Sequence, residues 1–306
     1  MLKEKIKLNQ KENSSTATEY KNHAKKKGQL YDVWRRFKRN RMAVFGLFIF
    51  IILCFTALTA PLFFDYQTDI IGINVLRRLQ PPSSTYWFGT DDMGRNIFAR
   101  VIWGSRLSLA IGLSSATFAL LLGGFLGTVA GYFGGRLDNI IMRVMDIFQA
   151  IPATLLAISI AAALGPSTVN VVIAISVSFC PSFARVARGP ILIVRQAEYI
   201  EAAKSIGASS RTIILNEVIP NCLAPIIVQT TLSVAIMILI TSGLSFLGLG
   251  VQPPTPEWGA MLAASRSHIR DNSYIAFFPG LAIMLTILSL NLLGDGLRDA
   301  LDPRLK

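Results

Sequence analysis

Cysteine and histidine are scarce in this chain of 306 residues, three of the first and two of the second. Cys54, Cys180 and Cys222 fall in or beside apolar runs without CxxC spacing, so neither a disulfide framework nor a zinc site is indicated. They read as small buried hydrophobes. His23 and His268 are far apart in sequence and fall on opposite faces of a predicted membrane, so no His-based catalytic or metal constellation can be built from them. The chain has no Gly-Lys dipeptide, which removes the phosphate-cradling P-loop with its Lys and Ser/Thr. Any ATP must be bound by another chain. No catalytic residue, cofactor or metal is expected.

Charge is also scarce, at 16% of residues against 52% hydrophobic, and several stretches carry none. This composition indicates an integral membrane protein. A spanning helix needs roughly 17 to 25 mostly apolar residues, because it satisfies its own backbone polar groups where no water can. Six segments qualify, at about 42–64, 107–132, 140–164, 169–187, 222–248 and 274–294. The predicted fold is therefore an all-α polytopic membrane protein with six transmembrane helices. In the third segment Arg143 and Asp146 lie among apolar neighbours, so that helix either begins outside the hydrocarbon or turns that face toward protein or water. The first segment is a retained anchor rather than a cleaved signal peptide, since about forty residues precede a run of more than twenty.

Lys and Arg placement orients the spans. The segment before the first span carries Lys25, Lys26, Lys27, Arg35, Arg36, Lys38, Arg39 and Arg41, which assigns it to the cytoplasm. Six spans return the C-terminus, 299–306, to the same side. The stretch 65–106 is then extracytoplasmic despite five arginines, and 107–298 holds the other five spans. The net charge of +12 comes mostly from the N-terminal segment, which leads straight into a membrane helix. Anionic lipid headgroups fit that charge better than nucleic acid, which is not an expected partner. Residues 1–28 hold almost no large apolar side chains and are expected to be disordered. Over 29–41, Leu30, Val33, Trp34 and Phe37 recur at helical spacing against basic residues. Two readings fit: a basic amphipathic helix at the membrane interface, or an extension of the first span.

Between the fourth and fifth apolar runs, 195–221 is too polar to stay in lipid and too periodic for a linker. Two short helices joined by a turn fit it best. Tyr199, Ile200, Ala203 and Ile206 give the first an apolar stripe, and Glu201 and Lys204 stand close enough to pair. Gly207 supplies a residue that tolerates positive φ. Ser209 or Ser210 can cap the second helix, whose Ile213, Ile214 and Val218 face one way. Pro220 suits a helix start, where its missing N–H is no loss. The small Ala202 and Ala203 would let such a knuckle seat closely in a groove on a soluble partner.

Glu201-Ala202-Ala203, Gly207 four residues on, and Ile219-Pro220 thirteen beyond that resemble the EAA loop of ABC importer permeases. Further marks are Trp34-Arg35-Arg36-Phe37-Lys38-Arg39-Asn40-Arg41, Phe88-Gly89-Thr90-Asp91-Asp92-Met93-Gly94-Arg95, Ser245-Phe246-Leu247-Gly248-Leu249-Gly250-Val251-Gln252-Pro253-Pro254 and Asp302-Pro303-Arg304. With these, about residues 30–306 resemble the C-type subunit of the dipeptide/oligopeptide/nickel permease group. Glu217 departs from it, standing where the wider pattern has an apolar residue.

The resemblance implies the type I ABC importer transmembrane domain, in the inner or plasma membrane, with both termini cytoplasmic. It implies a heterodimer with a B-type permease subunit, two cytoplasmic ATP-binding subunits and an extracytoplasmic substrate-binding protein. Glu201, Ala202, Ala203, Ser205, Gly207 and Pro220 would couple the spans to the ATPase in an alternating-access cycle. Peptides rank first as substrate, with nickel or a metal chelate as the alternative. A membrane enzyme would need midplane carboxylates, a nucleophile or metal ligands, and a secondary transporter would need inverted repeats and broken helices. The apolar runs supply neither convincingly.

Four further features bear on the spans. Gly123, Gly127 and Gly131 lie four apart and favour close helix approach, either within the chain or at the permease interface. Pro152 and Pro181 can bend their helices. Asp91 and Asp92 read as turn chemistry rather than a cation site. Asp138, Arg143, Asp146 and Asp295 are expected in structural or interfacial pairs, with a place on the translocation path as the alternative.

Overall fold

A computed structural model describes residues 31–302. The expected disorder of 1–28 lies outside them, as do Pro303 and Arg304. The described chain is helical apart from connecting turns and one isolated bridge between Thr90 and Asn96. Helix α1 covers 31–39 and α2 is Arg41–Phe63. Then follow α3 Ile97–Phe133, α4 Gly135–Gln149, α5 Ala153–Leu164, α6 Thr168–Val194 and α7 Glu198–Ser205. The last are α8 Ser210–Ile213, α9 Ile219–Phe246, α10 Trp258–Ser265 and α11 Tyr274–Leu301.

Among the described residues five helices are long and apolar enough to cross a membrane: α2, α3, α6, α11 and the continuous stretch Ser210–Phe246. The third expected span is not one helix. It is the pair α4 and α5, bent by 82° at the break between Gln149 and Ala153, and the pair makes a sixth span if counted as one. Pro152 is the cause: it has no N–H for the helical ladder and pushes the residue before it toward extended backbone. Pro181, by contrast, is absorbed within an unbroken α6.

Between apolar helices in lipid there is little hydrophobic driving force, so association rests on close packing and small residues. The α3/α6 pairing is the most extensive in the bundle. A Cβ at Gly123 would strike the Cys180 carbonyl, one at Gly127 the Ala184 carbonyl, and one at Gly131 would lie 2.9 Å from Ile191. The glycine stripe is therefore packed inside this chain. Around that pair, α9 and α11 complete a core of residues such as Ile111, Ile175, Phe183, Met237, Ile238 and Trp258.

At the margin α2 lies on α11 through two notches, Gly46 against Leu292 and Gly296 against Ala43. α1 is no extension of the first span. Asn40 breaks the helix and caps α2, its side-chain oxygen accepting from the Met42 and Ala43 amides at 3.1 Å. Phe37 is buried with Leu293 and Ala300 of α11. Arg36 donates to the Asp302 carbonyl at 3.3 Å and Asn40 to the Asp299 carboxylate at 3.2 Å.

At the opposite end the loops close over the bundle. Asp91 accepts from the Met93 and Arg95 amides at 3.0 and 2.9 Å, which makes it a turn former, and its other oxygen lies 2.7 Å from Arg95 Nε and 3.6 Å from Arg100 Nε. Arg100 in turn donates to the Ile70 and Pro254 carbonyls at 2.6 and 3.3 Å, so one buried guanidinium ties three segments together. Nearby, Glu257 is fully buried, and it accepts from Ser108 Oγ at 3.0 Å and from the Gly259 and Ala260 amides at 3.0 and 2.9 Å.

Candidate functional site

The knuckle at 195–221 sits at the end of the bundle that carries α1 and Asp302. Three contacts fix its root. Arg195 donates to the Gly131 and Tyr132 carbonyls at 3.1 and 3.2 Å, covering acceptors that the C-terminus of α3 leaves free. Lys204 does not pair with Glu201; its ammonium lies 5.7 Å above the Tyr132 ring instead. Ile200, Ile213, Val218 and Cys222 are fully buried together with Tyr132 and Ile191, joining α7, α8 and α9 to the ends of α3 and α6.

α7 is as expected a short helix, with Glu198 and Glu201 in its first turn and Lys204 in its last, which suits the helix dipole. Its inward side carries Ile200 and the half-buried Ala203. The outer side carries Glu201, Ala202 and Ser205, all exposed, with Ser205 Oγ donating back to the Glu201 carbonyl at 3.0 Å. Two small side chains and one carboxylate thus form the crest of the knuckle. Ile206 does not join the predicted stripe and stands 85% exposed at the tip.

Gly207 has φ +82°, and an added Cβ there would meet nothing. The glycine is needed for backbone conformation, not for space. Ser209, rather than Ser210, caps the next turn, its Oγ accepting from the Thr212 amide at 3.2 Å.

Beyond this point the expectation of a second short helix separate from the fifth span is corrected. Residues from Ser210 run without a break into the fifth span, and Pro220 stands at the second position of α9, a helix start as expected, directly behind a π-turn. A proline there would leave carbonyls of the preceding turn unpaired. The chain answers with a π-turn at Ile214–Val218, where the Ile219 amide donates to the Ile214 carbonyl, and with Asn221, whose side-chain amide donates to the Glu217 carbonyl at 2.6 Å. Glu217 itself is exposed, so its charge is not forced into the packed face. The same Asn221 amide lies 3.5 Å from the Tyr199 hydroxyl, bridging α7 to the base of α9. Burial, with smaller pushes from Glu217 and Cys222, raises the Tyr199 phenol above its ordinary range, so it stays a neutral hydroxyl.

Sequence reasoning found Glu201, Ala202, Ala203, Ser205, Gly207 and Pro220, and the structure brings all but Pro220 together on one small protrusion, with Pro220 at the base of the span it feeds. It missed Arg195 and the π-turn. Arg195 carries no local signal, because its partners lie more than sixty residues away. Pro220 in a run too apolar to be a terminus was the available hint of the turn. Among the described residues no group of three or more His, Cys, Asp or Glu could hold a metal ion.

Residues 119–306 match the family described as "Binding-protein-dependent transport system inner membrane component", and residues 28–82 match "N-terminal TM domain of oligopeptide transport permease C". The chain is 46% identical to the dipeptide transport system permease protein DppC of Alkalihalophilus pseudofirmus, over 90% of both chains. It is 43% identical to the glutathione transport system permease protein GsiD of Pectobacterium atrosepticum, over 90% of this chain and 91% of that one. The di/tripeptide permease DppC of Pseudomonas aeruginosa is 44% identical over 90% and 93%. Among solved structures, the inward-facing MetNI methionine ABC transporter superposes with a TM-score of 0.57 at 16% identity, covering 67% of this chain and 98% of that one. That likeness concerns the fold alone.

Proposed function

The chain belongs to the family of binding-protein-dependent transport system inner membrane components, and from that membership we propose that it is the C-type permease subunit of an ATP-driven importer of short peptides, di- and tripeptides or glutathione. The observation that carries the substrate class is the identity of 43 to 46% with dipeptide and glutathione permeases along nine-tenths of the chain. The chain is a multi-pass membrane protein and a permease; hydrolysis belongs to other subunits.

In this reading both termini and the knuckle lie in the cytoplasm, in keeping with α1, Asp302 and the base of α9 sharing one end of the bundle. A B-type permease completes the path, two ATP-binding subunits take the knuckles, and an extracytoplasmic binding protein delivers the peptide. The crest of Glu201, Ala202 and Ser205, with Ile206 at the tip, seats in the ATPase. Ala203 and the buried Ile200 pass the load to α3 and α6, and the unbroken helix from Ser210 passes it to the fifth span. When ATP closes the ATPase dimer, the knuckles move together and the spans tilt, so the cavity changes the side to which it opens.

The test is uptake of a labelled dipeptide into cells or proteoliposomes holding the whole complex. Glu201→Lys and Gly207→Pro are expected to abolish uptake while the chain still inserts. Uptake at the unmodified rate by both would remove the knuckle's role, and uptake by a preparation without any ATPase would remove the importer reading.

A further inference from the structure

The charged residues midway along α4 have no place against lipid. α4 runs beside α6, with Asp138 bridged to Arg188 at 2.6 and 2.7 Å and Asp146 to Arg185 at 2.8 Å. Met145 between them is buried with Cys180 and Ala184. Gly123 and Gly127 of α3 touch those same two residues, and Leu122 shares a small apolar recess with Met145. At this height the outer side of α3 shows Leu121, Leu122 and Phe125 at 60%, 50% and 68% exposure, a surface made for hydrocarbon. Arg143 and Asp146 stand level with it.

A helix turning 100° per residue gives α4 three sides. Asp138, Ile141 and Met145 face the bundle. Leu137, Ile140, Val144 and Ile147 make an exposed apolar stripe. The third side is polar and exposed: Asn139, Arg143 and Asp146, joined by Arg185 from α6. Asp146 and Arg185 offset each other's charge, each about half exposed. Arg143 forms no ion pair among the described residues. Ionisable groups at this depth face protein or water, because lipid solvates neither a guanidinium nor a carboxylate. This chain leaves Arg143 exposed and covers only about half of Asp146 and Arg185.

We propose that Asn139, Arg143 and Asp146, with Arg185, line the water-filled path through which substrate moves, and that Arg143 meets the carboxylate of the passing peptide. The inference rests on the importer reading above. A lone guanidinium gives the path a positive local potential, and it donates well to a carboxylate. Its exposure keeps the contact weak enough for release, as passage requires. The neighbouring apolar stripe faces lipid or the second permease.

The experiment places single cysteines in the assembled complex, with Cys54, Cys180 and Cys222 replaced by serine, and measures labelling by a membrane-impermeant maleimide. Asn139→Cys and Arg143→Cys are expected to react about tenfold or more faster than Ile140→Cys and Ile147→Cys, and added dipeptide to slow the reaction at 143. Arg143→Gln is expected to lower uptake of a dipeptide about tenfold relative to its C-terminal amide. Reaction at 139 and 143 no faster than at 140 and 147, in a complex that still imports with ATP, overturns the inference and leaves the importer reading standing. An unchanged acid-to-amide ratio in Arg143→Gln overturns the role given to Arg143. Should Arg143→Cys fail to assemble, Asn139→Cys alone decides the labelling. Fast labelling in a complex without ATP-driven uptake would instead remove the importer reading while leaving the strip wet.

Discussion

At one end of the bundle Arg100, buried against Asp91, Ile70 and Pro254, fastens three segments with charge-assisted hydrogen bonds; at the other, Gly207 turns a short exposed helix on a single glycine. The first end contains Glu257, a carboxylate whose acceptors are filled by Ser108, Gly259 and Ala260. The second has Glu201, Ala202, Ser205 and Ile206 presented outward with little of this chain touching them. The difference teaches where stability and where function are kept. Buried and fully paired polar groups destabilise strongly when one partner is removed, whereas exposed groups at a protrusion contribute little to folding and, under the proposed function, serve the docking of the ATPase.

If this contrast holds, stability should suffer most at the buried end, and at the knuckle uptake should fall by more than the loss of stability accounts for. Arg100→Leu leaves buried carbonyls and part of the Asp91 charge without a partner, and is expected to destabilise by roughly 3 kcal/mol or more. A drop in the unfolding midpoint of the solubilised protein measures it. Gly207→Val places a β-branched residue at φ +82° and is expected to lose about 1–2 kcal/mol locally while uptake falls almost to nothing. Ser209→Ala removes the cap on the Thr212 amide and should lose about 1 kcal/mol, with a partial loss of uptake. Glu201→Gln should leave the unfolding midpoint within about 0.5 kcal/mol of the unmodified chain, yet uncouple ATP hydrolysis from transport in the complex. An Arg100→Leu chain that unfolds like the original, or a Glu201→Gln chain that unfolds much earlier, would break the comparison.

Much of the knuckle was legible because its signals are local. Positive φ at Gly207 follows from a glycine just past an amphipathic turn, and a capping serine followed from Ser209 ahead of Ile213 and Ile214. The fate of Pro220 was not legible. A proline reads as a helix start or a break, and only the surrounding packing decides that a π-turn before it and Asn221 after it will carry the helix through. Pro152 and Pro181 make the same point, since one residue type breaks the third segment and passes unnoticed in the fourth. α10 was missed altogether. Eight residues anchored by Trp258 Nε1 on the Val101 carbonyl are too short to announce themselves by periodicity.

By itself the sequence determined that this is an all-helical membrane chain without a P-loop, because span length, apolar runs and the lack of a Gly-Lys dipeptide are read along the chain in short windows. It also marked the knuckle between two spans. Tertiary structure alone decided that the glycine stripe of α3 closes on α6, that Asp138 and Asp146 take Arg188 and Arg185, and that Arg143, on an open face, has no ion-pair partner among the described residues. Those outcomes join residues dozens of positions apart. A local pattern can say that a glycine permits close approach or that a carboxylate needs a cation, and only the packed bundle selects which neighbour arrives.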